Sequence, residues 1–242
     1  MDFDYSPELA SFRREVRSWL EANAPLRSED ESPAVLFTEH DDEAGYVAEA
    51  KRWQAKLFDE GWAGLTWPEE YGGRGLSPLH QIIWSQEAAR YAIPTGIFSI
   101  GIGMGGPTVM SWGTGAQKER WLRPLLRGDE IWCQLFSEPN AGSDVAAVQT
   151  RAVPDGDEWT VNGQKLWTSG AHYSQWGMLL ARTDPDVPKH RGLTYFLIDM
   201  EQEGVEPRPL RQMTGGSDFN EVFFSDARVA ADNVIGEPGG GW

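Results

Sequence analysis

The chain has 242 residues, of which 40% are hydrophobic and 24% charged, so it can bury a core in one large domain or two of ordinary size. Its formal net charge of −16 argues against a nucleic-acid groove, because phosphates must be neutralised by Lys and Arg. A single cysteine excludes an internal disulfide and indicates a reducing compartment.

The N-terminal stretch MDFDYSPELA is acidic and has no apolar core, so neither a signal peptide nor a transit peptide is predicted. No apolar stretch approaches the roughly 20 residues of a membrane span. We therefore expect a cytoplasmic protein without a membrane span.

Two amphipathic helices are predicted first. Ser6 is a typical N-cap, and Pro7 suits the first helical turn. Residues 42–61 repeat apolar side chains at helical spacing and end at Gly61, which is a typical stop. Between the two helices, residues 27–42 are acidic and irregular, which predicts a surface loop.

Two further helices follow in the first half of the chain. Ser77 and Pro78 indicate one helix start. Thr114 and Gln117 have the spacing of a capping box, and Gly128 is a typical helix end. These elements predict an all-helical bundle domain over residues 1–130.

Near residue 130 the pattern changes to short β-rich runs separated by Pro, Gly and Asp. Asn162-Gly163 lies between two such runs and predicts a two-residue hairpin. The predicted class is α+β, with the helical bundle followed by an antiparallel β-barrel domain over residues 131–242. The other predicted strands are IWCQLF (131–136), WGMLLART (176–183), GLTYFLIDM (192–200) and NEVFFSDARV (220–229).

The segment GIGMGG (101–106) matches the dinucleotide fingerprint G-x-G-x-x-G, which requires a strand before it and a helix after it. Pro94 and Gly96 interrupt the run before the motif. Gly113 and Gly115 interrupt the run after it. We therefore reject a dinucleotide fold and predict close packing of helices at these small residues.

The octapeptide SEPNAGSD (137–144) directly follows the predicted strand 131–136. Pro139 should turn the chain sharply, and Gly142 lets the backbone approach a ligand closely. The Ser143 hydroxyl and neighbouring N–H groups can donate to phosphate oxygens, as in an anion nest. An ordinary polar turn is the alternative, because turns use the same residue types.

The octapeptide and NGQKLWTSG (162–170) together resemble the acyl-CoA dehydrogenase family. Members carry a Thr/Ser-Glu-Pro-x-Ala-Gly-Ser-Asp stretch, followed by an N-G-x-K-x-W-hydroxyl segment. Three further segments resemble the family in the same order, so that the likeness covers the chain from end to end: PEEYGGRGLS (68–77), GTGAQKERWLRPLLRGD (113–129) and FNEVFFSDARVAADNVIGEPGGGW (219–242).

The resemblance implies an FAD-dependent enzyme that oxidises an acyl-CoA between its α and β carbons. Family members have a helical N-terminal domain, a β-barrel middle domain and a C-terminal four-helix domain. In their reaction a base removes the α-proton while the β-hydrogen leaves as hydride to the flavin. The resemblance also implies electron-transferring flavoprotein as the electron acceptor, and a homo- or hetero-tetramer.

By the resemblance, Ser137 bonds the pyrimidine edge of the flavin, and Gln134 and Phe136 lie along that edge. Ser143 and the backbone of Gly142 reach the FAD pyrophosphate, and Ser143 also neighbours the CoA moiety. Gln134 replaces a frequent Tyr of the family.

The same resemblance assigns Trp167 to the isoalloxazine ring, with Thr168 beside it and the Ser169 hydroxyl near flavin N5. A core indole is the alternative for Trp167, and a water-facing hydroxyl at a strand end is the alternative for Ser169. In the octapeptide, Asn140 stands where many members have Gly. Because Asn tolerates a positive φ, the turn should survive.

The loop DPDVPKHRG (184–192) should join two strands and be mobile. Lys189 and Arg191 belong to a basic cluster in a very acidic chain and are predicted to attract the phosphates of CoA. A solvated turn is the alternative for this loop.

The family's C-terminal domain, which supplies the catalytic Glu and part of the FAD site, is expected to begin where this sequence stops, at Trp242. No catalytic residue and no metal ligand is therefore assigned, and Glu138 is given a structural place in its loop. We expect the chain to be a fragment, a truncated product or a subunit that needs a partner. An acyl-CoA oxidase-like flavoprotein, or a non-catalytic subunit of a hetero-oligomeric dehydrogenase, is the alternative.

Overall fold

The computed structural model of the protein describes residues 5–28, 42–213 and 215–242, so most of the predicted acidic loop, residues 29–41, lies outside them. The helices are α1 (Pro7–Asn23), α2 (Glu43–Asp59), α3 (Pro78–Ala88), α4 (Gly106–Trp112) and α5 (Gly115–Arg127). The strands are β1 (Trp132–Leu135), β2 (Arg151–Asp155), β3 (Glu158–Ser169), β4 (Trp176–Arg182), β5 (Leu193–Asp199), β6 (Val205–Leu210), β7 (Phe219–Ala230) and β8 (Val234–Ile235). None of the helices in these ranges is long and apolar enough to cross a membrane.

The helix ends follow the predicted local signals. The Ser6 side chain accepts from the Leu9 N–H and caps α1. Thr114 and Gln117 form the complete capping box of α5, which ends at Gly128 with a φ of 81°. Ser77 differs from the prediction, because its hydroxyl bonds the ring of His80 and no side chain caps α3.

A buried carboxylate joins α1 to α3. The Glu87 carboxylate of α3 accepts hydrogen bonds from Nε of Arg13 at 2.5 Å and from Nε of Arg17 at 2.9 Å. The hydrogen bond from Arg17 is the main cause that lowers the pKa of Glu87, and burial opposes it only in part. The pair of cations thus fixes the crossing of the two helices beside their apolar contact.

The segment 101–106 is helical, and its glycines allow the close packing that was predicted. A Cβ on Gly101 would lie 2.6 Å from a methyl of Leu125. A Cβ on Gly106 would lie 2.2 Å from the indole of Trp67. The backbone here runs as one π-helical turn into α4, so no strand precedes the motif.

The eight strands of the described residues form one sheet in the order β6-β7-β3-β2-β4-β5-β8, with β1 also paired to β4. The predicted α+β class, a helical bundle followed by a β domain, is confirmed. In detail the sheet differs from an antiparallel barrel. β1 and β2 both run parallel to β4, and within the described ranges no pairing joins β6 to β8. The parallel pairs arise because the chain leaves β1 through the octapeptide loop and returns along the same edge of β4.

The hairpin predicted at Asn162-Gly163 is wrong, because β3 runs through these residues without a break. The turn between β2 and β3 lies instead at Asp155–Glu158, where Gly156 has a φ of 68°. Asn162-Gly163 forms a register shift against β7. The Asn162 side chain exchanges hydrogen bonds with Asp226 of β7, at 2.9 and 3.0 Å. Long-range strand pairing therefore overrides the local turn signal.

One side chain joins the helical half to the sheet. Gln117 Nε2 donates to the carbonyls of Asp232 and Val234, each at 2.7 Å, while its Oε1 accepts from the Thr114 N–H. Apolar contacts extend this joint, because Met178 and Leu197 of the sheet belong to the helical core.

Candidate functional site

The two motifs that carry the family resemblance meet beside the end of β1. The octapeptide (137–144) leaves β1, and residues 162–170 form the end of β3 and the residue after it. The Leu166 N–H donates to the Ser137 carbonyl at 2.9 Å, which joins the segments main chain to main chain. Two stretches that are separate in the sequence therefore lie side by side.

The octapeptide makes a tight turn at the predicted position. The Glu138 N–H donates to the Ala141 carbonyl at 2.8 Å, and the Ala141 N–H donates back at 3.1 Å. Pro139 and Asn140 occupy the corner, so the sharp bend predicted at Pro139 is confirmed. The turn carries the chain from the sheet to the exposed residues that follow it.

Lys165 is the buried centre of the junction, with a side chain that is 0% exposed. Its Nζ donates to the carbonyls of Phe136 and Leu180, at 3.0 and 2.8 Å, and to Oε1 of Glu138 at 2.8 Å. All three ammonium protons are therefore used. Burial lowers the pKa of Lys165 to about 8, and the Glu138 charge offsets only part of this effect.

Glu138 completes the buried pair from the octapeptide side. Besides Lys165, its carboxylate accepts from the backbone N–H groups of Gln149 and Thr150, at 2.6 and 2.9 Å. Burial acts to raise the pKa of Glu138, but the charge of Lys165 and these hydrogen bonds outweigh it, and the pKa is lowered. Three donors hold this carboxylate in its ionised form, which disfavours its use as a base towards a substrate.

Around this buried pair lies a surface that we call the rim. Within the part of the chain that the structure describes, its side-chain hydroxyl and amide groups have no hydrogen-bond partner. A Cβ on Gly142 would meet no atom within 4 Å, so the backbone there faces open space. The rim consists of Gln134, Phe136, Ser137, Gly142, Ser143, Trp167 and Ser169.

Trp167 is the most unusual residue of the rim. Its side chain is 60% exposed, and its backbone is left-handed with a φ of 60°. A register shift between Lys165 and Thr168 turns the indole outward, and the Phe219 ring meets it edge-on, at 6.1 Å between ring centroids. A bulky residue with positive φ is strained. The exposed indole does not fill a core, which removes that alternative for Trp167.

Thr168 does not reach the rim through its side chain. It is buried, and its hydroxyl has no partner among the described residues. Its carbonyl accepts from Asn220 Nδ2 at 3.0 Å, which ties β3 to β7 beside Trp167. The family resemblance implies a place for Thr168 with the cofactor ligands, but the alternation of side chains along the strand turns its hydroxyl inward.

The loop 184–192 joins β4 to β5, as predicted, and returns to the octapeptide. Lys189 Nζ contacts both carboxylate oxygens of Asp144, at 2.6 and 2.8 Å. The guanidinium of Arg182 braces the loop from below by donating to the Lys189 carbonyl at 3.0 Å. Arg191 is exposed at the far end of the loop.

A cleft of about 540 Å³ lies between this loop and the segment after the octapeptide. Lys189 lines the cleft, whereas Arg191 does not. Arg151 also lines it, is exposed, and has no partner in the described ranges. The sequence did not single out Arg151, because only the pairing of β2 with β4 brings it to Lys189.

A larger cleft, of about 720 Å³, lies between α5 and residues 231–238 and contains none of the predicted site residues. Trp121, Trp159 and Trp176 line it. No group of three or more His, Cys, Asp and Glu side chains in the described residues is arranged to hold a metal ion. The rim and the basic cleft are therefore the candidate site.

Two domain families match the chain. Residues 6–129 match the N-terminal domain of acyl-CoA dehydrogenases, and residues 133–227 match their middle domain. Acyl-CoA dehydrogenase IpdE1 of Mycobacterium tuberculosis is 44% identical over 97% of the chain. The chain spans 60% of the length of that relative.

Solved structures give the same result. The Tcur3481-Tcur3483 steroid ACAD superimposes with a TM-score of 0.83 at 31% identity, covering 100% of this chain and 60% of that one. The ChsE4-ChsE5 complex from Mycobacterium tuberculosis gives a TM-score of 0.79 at 36% identity, with coverage of 100% and 59%. Both motifs lie inside the matched middle domain. The chain therefore belongs to the acyl-CoA dehydrogenase family, of which it carries the N-terminal and middle domains.

Proposed function

We propose that this chain forms the flavin- and acyl-CoA-binding part of an FAD-dependent acyl-CoA dehydrogenase. Trp167 carries the proposal, because a 60% exposed indole in strained backbone is what a partner ring would cover. The hydroxyls of Ser137 and Ser169, which have no hydrogen-bond partner among the described residues, are a second support.

The rim suits a flavin because unpaired polar groups surround an exposed aromatic side chain. Trp167 would pack on the ring, while Ser137 and Gln134 would bond its polar edge. The Ser169 hydroxyl would lie near N5. When bound, FAD would accept the β-hydrogen as hydride, a reaction that needs a cofactor.

Two other parts of the rim would complete the cofactor site. Gly142 leaves room for close backbone approach, and Ser143 offers a hydroxyl, so both suit the pyrophosphate. Phe136 is half-buried against the edge of Tyr195 and would shield the flavin edge from water.

We assign the phosphates of the acyl-CoA to the basic cleft. Lys189 lies there with Arg151, which has no partner in the described chain. Arg191 follows Lys189 closely in the sequence, and Ser143 directly precedes Asp144, the partner of Lys189. Because Lys189 is already paired with Asp144, Arg151 offers the less neutralised charge. A chain with a net charge of −16 needs such a local patch to attract a polyanion.

The reaction needs a base that removes the α-proton, and among the described residues neither the rim nor the lining of the basic cleft contains a carboxylate that could do so. Glu138, the carboxylate within the motif, is held by Lys165 and two backbone N–H groups. We therefore infer that the base belongs to a segment or a partner chain corresponding to the rest of the longer relatives. Two similar solved structures are named as two-component assemblies, which favours a hetero-oligomer. The family resemblance suggests electron-transferring flavoprotein as the electron acceptor.

Flavin binding by the purified chain tests the first part. Trp167→Ala should weaken FAD retention and alter the flavin absorption bands. Trp112→Ala is the matched control, because Trp112 is 71% exposed on α4 and outside both motifs. Equal effects of the two substitutions, or no flavin binding by the unaltered chain, would contradict the proposal.

Salt dependence tests the basic cleft. Neutralising Lys189 and Arg191, or Arg151, should weaken binding of a CoA ester more at low salt than at high salt, because exposed charge is screened. Arg52→Ala removes an exposed arginine on α2 and is the control. Equal losses at both salts, or an equal loss in the control, would remove this assignment.

Turnover tests the missing base. With FAD, an artificial electron acceptor and a panel of acyl-CoAs that includes steroid-derived ones, the 242-residue chain should give no useful rate. General base catalysis alone typically supplies about 10²–10⁴-fold. Robust turnover without a partner would locate the base within these residues, whereas hydrogen peroxide production would favour the oxidase-like alternative. Tight binding to another dehydrogenase chain without any flavin would favour the non-catalytic subunit.

A further inference from the structure

A histidine outside both motif cores lies between the helical half and the end of β3. His172 belongs to a short helical turn, Ala171–Tyr173, that directly follows the strand. Its Nε2 lies 2.8 Å from Oε2 of Glu43 at the start of α2. Its Nδ1 lies 3.0 Å from Oδ1 of Asn220 on β7. The ring therefore bridges two parts of the molecule through both of its nitrogens.

The contacts of Asn220 decide which of its side-chain atoms faces that ring. Asn220 is buried, and its Nδ2 donates to the Thr168 carbonyl at 3.0 Å. Its Oδ1 is thereby left facing His172, and an amide oxygen can only accept. The ionised carboxylate of Glu43 can also only accept. An acceptor therefore faces each ring nitrogen of His172, an arrangement that a ring with a donor at both nitrogens, the imidazolium form, satisfies in full.

This chain of bonds ends beside the strained residue of the rim. Thr168 directly follows Trp167, and its carbonyl is the acceptor that Asn220 holds. On the other side, the Leu166 N–H is fixed to the Ser137 carbonyl. Trp167 is thus anchored on both flanks, as strained backbone requires if it is to persist.

We propose that His172 is a positioning residue that, in its doubly protonated form, orients Asn220 and so holds the Trp167–Ser169 backbone for flavin binding. The inference rests on the proposed flavin site. It adds a link from α2 to that site, in which Glu43 is the outermost member of the series of hydrogen bonds.

The surroundings of His172 set the sign of its pH dependence. Glu43 faces the ring from α2, and the Tyr173 ring lies edge-on at 4.8 Å between centroids. Tyr46, Asp218 and Cys133 are the next charged or titratable groups around Tyr173. Loss of a proton from His172 removes one of its two donors, so the affinity for FAD should fall as the pH rises.

FAD titrations of the purified chain between pH 5.5 and 8 test the proposal. At pH 5.5, His172→Gln should raise the dissociation constant roughly tenfold, because hydrogen bonds to a charged group are lost. The variant should also lose the pH dependence of the unaltered chain. His80→Gln is the control, since His80 is half-buried and its contacts are with Phe12 and Ser77 of the helical half rather than with the rim. Normal affinity and an unchanged pH profile in His172→Gln would overturn the proposal.

A spectroscopic measurement separates this inference from the flavin proposal. In the unaltered chain at pH 6, ¹⁵N-resolved NMR should show both ring N–H protons of His172 protected by hydrogen bonds. The indole N–H signal of Trp167, assigned with Trp167→Phe, should shift as His172 titrates. These two results would support the positioning role even if no flavin binds. The absence of flavin binding would contradict only the proposed function. A single neutral tautomer, or an indole N–H signal whose chemical shift stays constant over this pH range, would overturn the role of His172 while leaving the flavin proposal intact.

Discussion

Two buried carboxylates hold two regions of the molecule together by different means. In the helical half, the Glu87 side chain is 2% exposed, but its partners Arg13 and Arg17 remain 39% and 44% exposed. In the sheet half, Glu138 is 8% exposed and its cation, Lys165, is 0% exposed. A half-exposed arginine keeps much of its hydration. A buried ammonium has lost its water and depends on protein groups for all of its hydrogen bonds. The first cluster fixes a helix crossing, and the second fixes a single arrangement of the two motifs.

Removal of the buried cation should have the largest effect. Lys165→Met leaves the Glu138 carboxylate buried without its partner, so the free energy of unfolding should fall by about 3–5 kcal/mol. Urea denaturation measures this loss. The double variant Lys165→Met/Glu138→Leu is the matched control and should recover much of it, because no unpaired charge remains. If the single variant is as stable as the unaltered chain, the contrast between the clusters is wrong.

Loss of the helical carboxylate should cost less. Glu87→Gln keeps the shape of the side chain, while Arg13 and Arg17 can turn to water, so the expected loss is about 1.5–3 kcal/mol. The same urea series measures it, with Glu119→Gln on the exposed face of α5 as the control. A loss equal to that of Lys165→Met would show that exposure of the cations does not distinguish the clusters.

Alkaline pH should separate the two clusters. The pKa of Lys165 is lowered to about 8 from 10.5, whereas the hydrogen bond to Glu87 raises the pKa of Arg17. Between pH 8 and 10 the unfolded chain therefore keeps a proton on Lys165 that the folded chain releases. The unfolding free energy of the unaltered chain should rise with pH relative to Lys165→Met, by at most about 1.4 kcal/mol per pH unit. Urea midpoints of both proteins measure the difference, and a constant difference across this range would refute the assignment.

The smallest effect concerns strain at the rim, which has no counterpart in the helical cluster. Glycine adopts a positive φ without the steric cost of a Cβ, so Trp167→Gly should be more stable than Trp167→Ala by about 1 kcal/mol. Both variants lack the indole, so their comparison isolates the backbone term. Thermal denaturation without flavin measures it. Equal melting temperatures would mean that the strand relaxes once the indole is gone.

The helix ends could be predicted from the sequence because their signals are local. Ser6, the Thr114–Gln117 box and Gly128 each act on groups within a few residues. The Asn162-Gly163 hairpin failed because its conformation is decided by β7, through the contact with Asp226. A local signal loses to strand pairing when the partner strand is distant in sequence.

In the candidate site too, the sequence predicts some features, and strands distant in sequence decide others. The motifs and the family resemblance named the residues of the rim, but they could not give the burial of Lys165 or the left-handed backbone of Trp167. Both depend on distant strands, through the Leu180 carbonyl of β4 and through Asn220 of β7. Arg151 carries no sequence signal at all, and only the topology of the sheet places it beside Lys189.

The side-chain amide of Gln117 has a consequence for how the molecule unfolds. Its oxygen completes the cap of α5, and its nitrogen holds the carbonyl of Asp232 just before β8 and that of Val234 within β8. Melting of α5 would release β8, and loss of β8 would weaken the start of α5. The two halves should therefore melt in one cooperative transition rather than as separate foldons. A chain cut near residue 130 would leave both pieces with an exposed apolar face and prone to aggregation.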